Sequence, residues 1–528
     1  MKISTFLISG LALFSSSAFA VLGLPNAQPK VSAAEWNKVQ DNTWAGIKAR
    51  NIDPYTTDPG LIHRPKSEYP GDAVSEGVGY GMLLALYEND QKTFNKIWEA
   101  GNTYMWTSCH YDWHLYPDGT KHGEGGAATD AEEDIALSLI FASKLVDAGK
   151  WTSYSSSSLG SYAAHAQTIL NCMWSSSEIT SAGTIAPGAG WGGDSFVNPG
   201  YFSPAWYKIF ADFDTNSNHD WNKVITRSYE IIQNSPGYAQ GLIPDWMTPD
   251  GSYTSGMGYN SYLTGKGFYK DAIRTLWRVA IDAIWFDDEN AKTYLTNALN
   301  FLNSKGGFDA ANFYQIEGDS LGLLLPEADM WTQLDSGKIE RTRREHSHLT
   351  IGMWATAAIA VGTDADKIAA SKELAKFYDY ENNANYWGLA TDTSGGTEDT
   401  LHNEMYFDQF LAWFGASLMS GNFSNIADNL ANPVANSKGI VYDPFVALPP
   451  IKNVSRTAMS VVRSVSGFRF EAPSNWHNVA WIALDLTGKK IKAGSGAAFE
   501  VNNNESTGIV LVCAKSKEGR TFKKVELR

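Results

Sequence analysis

Cysteine is scarce in this chain. Cys109, Cys172 and Cys513 are the only three in 528 residues, too few for a disulfide scaffold and without the spacing of a zinc site. Positive charge is in deficit: 42 Lys+Arg stand against 57 Asp+Glu, a formal net charge of −15, which excludes a general nucleic-acid binder, since that needs a basic face. Beyond the N-terminus no apolar run reaches the ~18 residues of a membrane span. Charged residues make up 19% and hydrophobic residues 43%, a balance that excludes disorder and is ample for a sizeable core. What the chain has in excess is aromatic: 13% of residues, with 19 Trp. Sugars are a common reason for exposed aromatic rings.

The first twenty residues, MKISTFLISGLALFSSSAFA, have the form of a signal peptide. Lys2 is a minimal positive region, Phe6 to Phe14 is apolar, and Ala18-Phe19-Ala20 is a small-x-small cleavage site. An exported, secreted or cell-surface protein with no membrane span is expected. Residues 21–425 read as one large helical domain. Residues 426–456 are rich in Asn, Pro and Ser without sustained period and read as a linker. Residues 452–528 hold 13 Lys+Arg against 6 Asp+Glu, so the basic tail sits on an acidic body. Short apolar runs such as 479–484 and 508–512, parted by Gly-rich and Asn-rich turns, predict a small C-terminal β-sandwich over 457–528.

In the large domain apolar residues recur at helical spacing through about twelve segments. Some are apolar nearly all round, such as Ile135–Val146 and Ile273–Phe286. Others, such as 91–101 and 288–304, carry a polar face. All-round apolar helices are buried and amphipathic ones peripheral. Their alternation predicts an all-α architecture of six hairpins, an (α/α)6 barrel with an inner and an outer ring.

Three acids fall at predicted helix starts. Ser75-Glu76-Gly77-Val78-Gly79-Tyr80-Gly81 opens one helix, Thr129-Asp130-Ala131-Glu132 another, and Tyr269-Lys270-Asp271-Ala272-Ile273-Arg274 a third. Thr129 and Glu132 have capping-box spacing. An acid in a first turn ordinarily complements the helix dipole. Parallel inner helices would nevertheless bring Glu76, Asp130 and Asp271 to one end of the barrel. Gly77, Gly79 and Gly81 each cost about 1 kcal/mol relative to Ala in a helix, so another helix or a ligand must approach the backbone there. A helix N-terminus lowers a carboxylate pKa, whereas a general acid needs a raised one. If Glu76 is an acid catalyst, desolvation or a neighbour such as Asp130 must outweigh the dipole. Trp191 sits among glycines, where a flat ring is placed to stack on a sugar rather than to fill a core. Trp206 and Trp277 lie within helical patterns and read as core. The one close histidine pair, His346 and His348, reads as a capped helix start or a solvated turn rather than a metal site.

The segments SEGVGYGM (75–82), GAATDAEEDIALSLIFASKL (126–145), WGGDSFVNPGYFSPAWYKIF (191–210), LIPDW (242–246) and YKDAIRTLWR (269–278) together resemble glycoside hydrolase family 8, most nearly its bacterial endo-β-1,4-glucanases. The resemblance runs over roughly residues 25–425 and implies an (α/α)6 barrel and inversion at the anomeric carbon. It implies that Glu76 is the general acid, Asp271 the general base, and Asp130 an acid that holds and distorts the sugar. It further implies that Arg274 stands beside the base, and that Trp113, Trp191, Tyr201 and Tyr406 stack on or hydrogen-bond the polymer. Two departures bear on substrate preference: Glu132 replaces the second Asp of an ATDAD pattern, and Lys270 replaces a tyrosine usual before the base. The segments 478–494 and 506–528 are similar to type A sorting tails or small surface-attachment sandwiches, which implies outer-membrane secretion machinery as a partner.

The resulting expectation is a secreted, monomeric endo-β-1,4-glucanase acting on cellulose and mixed-linkage glucan, with no metal and no cofactor. The alternatives are a xylanase or chitosanase of the same family, a non-catalytic polysaccharide-binding surface protein, and a periplasmic partner of cellulose synthesis. In an exported protein Cys109 and Cys172 could pair, and their spacing leaves that open.

Overall fold

The computed structural model describes residues 33–64, 71–121, 126–252, 265–319, 346–375 and 406–427, a few isolated positions between them, and most of 460–527. The expected signal peptide, and the expected linker beyond residue 427, lie outside the described residues. The chain divides into two units between Val446 and Ala447.

Twelve α-helices occur among the described residues of the first unit: α1 (Ala33–Ile47), α2 (Ser75–Tyr87), α3 (Gln91–Tyr104), α4 (Thr129–Asp147), α5 (Tyr162–Ser175), α6 (Pro204–Phe213), α7 (Trp221–Asn234), α8 (Arg274–Phe286), α9 (Glu289–Lys305), α10 (His348–Val361), α11 (Asp364–Ala375) and α12 (Tyr406–Ser420). Even- and odd-numbered helices differ in burial. Ser75–Leu86 of α2 is buried apart from Glu76, and Thr129–Ala142 of α4 and His348–Ala358 of α10 are buried throughout. In α3 only Phe94, Ile97, Trp98, Ala100 and Gly101 are buried, one stripe at helical spacing. The even helices pack in the sequence α2–α4–α6–α8–α10–α12, each with an odd-numbered helix against it. The ring closes through aromatic contacts of Tyr80 in α2 with Phe410 and Phe414 in α12, at 5.7 and 5.2 Å between centroids. This arrangement is consistent with the expected (α/α)6 barrel.

The barrel axis is filled by rings. Trp277 stacks on Phe414 at 4.2 Å, and Trp206 stacks on Trp285 at 5.4 Å. Trp206 and Trp277 are fully buried core, as their helical setting predicts. Gly79 answers the question raised by its motif: a Cβ there would sit 2.9 Å from the Cβ of Asp134 in α4, and at Gly81 it would meet Ile62 at 2.7 Å. The glycines of α2 therefore admit a neighbouring helix and a loop, not a ligand.

Helix starts fall into two groups. Asp90, Asp220, Asp288 and Ser347 cap α3, α7, α9 and α10 by accepting first-turn N–H groups. The residues before α2, α4 and α8 are Val74, Ala128 and Ile273, and none supplies a side-chain cap. The capping box expected at Thr129 and Glu132 does not form. Thr129 is already helical, and the Glu132 carboxylate instead accepts the backbone N–H of Tyr111 at 2.7 Å. The pair His346 and His348 stands at the start of α10, where Ser347 provides the cap and His346 lies 3.1 Å from Glu373.

Among the described residues of the second unit, seven strands form two antiparallel sheets. One sheet has the order Ala498–Asn502, Gly467–Glu471, Ser460–Ser464, and the other Lys490–Ser495, Ala480–Asp485, Gly508–Ser516, Gly519–Leu527. Strand alternation directs Phe470, Phe499 and Val501 of the first and Trp481, Ala483, Val510 and Val512 of the second into one apolar cluster. Arg469 and Glu500, between the inward residues, form an exposed ion pair at 2.8 Å.

Candidate active site

The starts of α2, α4 and α8 meet at one buried guanidinium. Arg274, the first residue of α8, is 1% exposed. Its Nη1 donates to Glu76 Oε2 at 2.7 Å, to Asp130 Oδ2 at 2.7 Å and to the Tyr80 hydroxyl at 3.2 Å. Its Nη2 donates to Asp271 Oδ1 at 3.0 Å. The planar fork of an arginine, with five donors, can satisfy several carboxylates at once. Glu76 and Asp130 are each the second residue of their helix. Asp271 is not in a helix, as the sequence suggests, but in a turn that precedes α8, closed by Ile273 N–H donating to Tyr269 C=O at 2.9 Å.

Side-chain exposure separates the three acids. Asp271 is 34% exposed, Glu76 18% and Asp130 3%. The first two are open to a substrate. Burial pushes the Glu76 carboxyl up to about 7, opposed by Arg274, then reinforced by the charge on Asp130. The Tyr406 hydroxyl, at the start of α12, donates to the other Glu76 oxygen and also favours ionisation. Burial outweighs Arg274 and Tyr406, and the charges of Asp130 and Asp271 add to it. Asp271 is likewise raised by burial, while Arg274 and an Asn198 Nδ2 donor at 3.1 Å hold it down. The site thus holds three carboxyl groups on one cation, one of which, Glu76, is pushed up to about 7.

Aromatic residues surround this cluster. The Arg274 guanidinium lies over the ring of Tyr201 at 5.0 Å and that of Phe407 at 5.6 Å. Among the described residues, Trp113 and Trp191 are two of the four exposed large hydrophobic side chains, at 37% and 48%. Trp113 is bound by its backbone to the start of α2, its carbonyl accepting the Ser75 N–H at 3.0 Å. The loop before Trp191 reaches α4, where Thr129 N–H donates to Pro187 C=O at 3.1 Å. Trp246 and Phe196 pack edge-on against Trp191 at 5.5 and 5.3 Å. All eight site residues singled out in the sequence therefore lie on elements joined to one another at the α2, α4, α8 and α12 starts.

Below them lies a run of buried acids that sequence reading did not interpret. Glu133 accepts from the Tyr207 hydroxyl at 2.7 Å, and Asp134 pairs with Arg278 through two 2.9 Å bonds and with Trp206 Nε1 at 2.7 Å. Asn198 and Asp245 were also missed as supports of Asp271 and its turn. Gly200 carries a trace of this: a Cβ there would lie 2.0 Å from the Asp271 carbonyl oxygen, so the NPGY segment must run against the turn that holds Asp271.

The helical ring thus carries a carboxylate cluster at one set of helix starts, with two exposed tryptophans on loops tied to them. Residues 27–321 match glycosyl hydrolases family 8, and the chain belongs to that family. It is similar to Endoglucanase 2 of Ruminiclostridium josui, 38% identical over 252 residues, or 47% of this chain and 51% of the relative. It is also similar to Endoglucanase A of Acetivibrio thermocellus, 36% identical over 335 residues, or 61% of this chain and 64% of the relative. The chain thus spans about half to two thirds of the length of these relatives. Among solved structures, Rex8A from Paenibacillus barcinonensis complexed with xylose matches 77% of this chain and 99% of its own, with a TM-score of 0.58 at 21% identity. That likeness concerns the fold.

Proposed function

We propose that the protein is an endo-acting, inverting β-1,4-glucanase. The observation that carries this is the convergence of Glu76, Asp130 and Asp271 on Arg274, with Glu76 held up to about 7. Glu76 gives its proton to the glycosidic oxygen as the bond from that oxygen to C1 breaks. Asp271 takes a proton from the water that attacks C1 from the opposite face. The cycle leaves Glu76 ionised and Asp271 protonated, and the new reducing end has inverted configuration. Asp130, the least exposed of the three, binds a ring hydroxyl of the flattened sugar at the cleavage point. Trp113, Trp191 and Tyr201 take the flanking sugars by ring stacking, and Tyr406 steadies Glu76. The similarity to two endoglucanases supports glucan as the polymer.

A second reading is a xylan-directed enzyme. It is favoured by the fold likeness to Rex8A, which is named as a reducing-end xylose-releasing exo-oligoxylanase and is 26% identical over 267 residues.

We further propose that residues 1–20 direct export and that 457–528 form a β-sandwich used for sorting or surface attachment, on a monomeric enzyme. The single core shared by the two C-terminal sheets supports the sandwich. The disulfide between Cys109 and Cys172 supports an oxidising compartment.

The test is reducing-end release from carboxymethyl-cellulose, lichenan, xylan and chitosan, with Glu76→Gln and Asp271→Asn beside the wild type. Cutting of the glucans, with both variants down by roughly 10²–10⁴, is the expected result. Cutting of xylan or chitosan alone would keep the mechanism and overturn the substrate. Glucan binding without new reducing ends would make the protein a binding protein on a hydrolase scaffold.

A further inference from the structure

We propose that Asp245 is the positioning residue of the base, acting as a remote cap that aims Asp271 into the cleft; this rests on the proposed reading of Asp271 as the base. Asp245 is 1% exposed and lies in the LIPDW segment, 27 residues before Ala272. Its Oδ1 accepts the backbone N–H of Ala272 at 2.8 Å and that of Tyr269 at 3.2 Å, the two residues that bracket Lys270 and Asp271. Its own N–H donates to Gly267 C=O at 3.1 Å, so the carboxylate is fixed from behind.

The need for such a cap is local. The first N–H groups of α8 are met by the turn, Arg274, Thr275 and Leu276 donating to the carbonyls of Asp271, Ala272 and Ile273, whereas the N–H groups of Tyr269 and Ala272, in the turn itself, donate to Asp245. Ile273, at the cap position of α8, provides no side-chain acceptor. At α3, α7 and α9 an aspartate just before the helix does this work. Supplying the acceptor from another loop satisfies the turn while the Asp271 side chain stays free for Arg274 and Asn198.

The two loops that hold the base are themselves joined. Val197 and Met247 exchange backbone hydrogen bonds at 2.8 and 3.2 Å, immediately beside Asn198 and Trp246. Asn198 grips the Asp271 carboxylate and Asp245 grips its backbone, as two arms of one frame. A misplacement of about 1 Å in a reacting group can cost roughly 10²-fold in rate, so a frame of this kind acts on kcat rather than on substrate affinity.

The experiment uses the full chain as wild type, Asp245→Asn and Asp245→Ala, with melting curves to establish folding. An amide oxygen can still accept both N–H groups, so D245N is the conservative rescue. Two readouts are taken: steady-state kinetics on whichever polymer the wild type cuts, and hydrogen exchange at the Tyr269 and Ala272 amides. The expected result is that D245A loses roughly 10²-fold in kcat with KM within about threefold. Its Tyr269 and Ala272 amides exchange faster, while D245N keeps them protected and retains kcat within about tenfold of wild type. A folded D245A with kcat within about twofold of wild type, or with both amides still protected, would overturn the proposal. So would a D245N as inactive as D245A with its amides protected, because the charge would then act in the chemistry itself. If the wild type cuts no polymer, the glycosidase reading falls, and amide exchange alone still decides whether Asp245 caps the turn.

Discussion

The guanidinium of Arg274 stands 2.7 Å from the Glu76 carboxylate, although 198 residues separate them in sequence. The same nitrogen reaches Asp130, and its neighbour reaches Asp271. Three acids that would repel one another are held in one place by one cation.

Arg274→Lys therefore breaks the cluster rather than weakening one contact. A lysine ammonium lacks the planar fork. The charge is kept, so what is lost are hydrogen bonds to carboxylates, about 1.5–3 kcal/mol each. The expected outcome is a loss of that order in denaturant unfolding, together with a fall of at least about 10² in polymer cleavage.

Tyr406→Phe tests the proton on Glu76. The Tyr406 hydroxyl donates to the Glu76 carboxyl and favours its ionised form. Its loss raises the Glu76 pKa above about 7. The protonated acid then persists to higher pH. The alkaline limb of kcat/KM against pH moves upward, which a pH-rate profile reads directly.

His165 sets part of the acid stability. It is fully buried, its Nδ1 accepts from Trp98 Nε1 at 2.9 Å, and burial pushes its pKa down to about 3. The unfolded chain binds a proton near pH 6.5 and the folded chain does not until about pH 3. The neutral ring's contribution is complete above about pH 6.5 and is lost as pH falls towards 3, by roughly 5 kcal/mol at most. His165→Phe lowers stability overall and flattens this slope, as urea titrations between pH 7 and pH 4 will show.

The disulfide of Cys109 with Cys172 closes a loop between residues 63 positions apart. Chain-entropy arguments place its contribution at about 2–4 kcal/mol. The double variant Cys109→Ser, Cys172→Ser will unfold at lower denaturant by that amount. A reductant will lower the wild-type midpoint and leave the variant's unchanged.

The helices were legible because their apolar periodicity is strong, and the positions of α2 to α12 follow that pattern to within a few residues. Glu76, Asp130 and Asp271 were legible as acids at or near helix starts. The turn that holds Asp271 outside its helix was not, because its Ala272 N–H donates to Asp245 in another loop. Asn198 was hidden in the same way, 73 residues from the carboxylate it binds. Glu132 misled: its spacing from Thr129 matches a local cap, and only the fold brings the Tyr111 N–H within 2.7 Å to claim it. The α2 glycines announced a close approach but could not say what approached. Local pattern specifies elements, whereas the supports of the site are contacts between distant loops.

The carbonyl of Trp113 accepts the N–H of Ser75, the residue before Glu76. The ring proposed to hold the polymer and the carboxyl proposed to give the proton are therefore carried by two peptides joined through one backbone hydrogen bond, so that a shift of one peptide is a shift of the other.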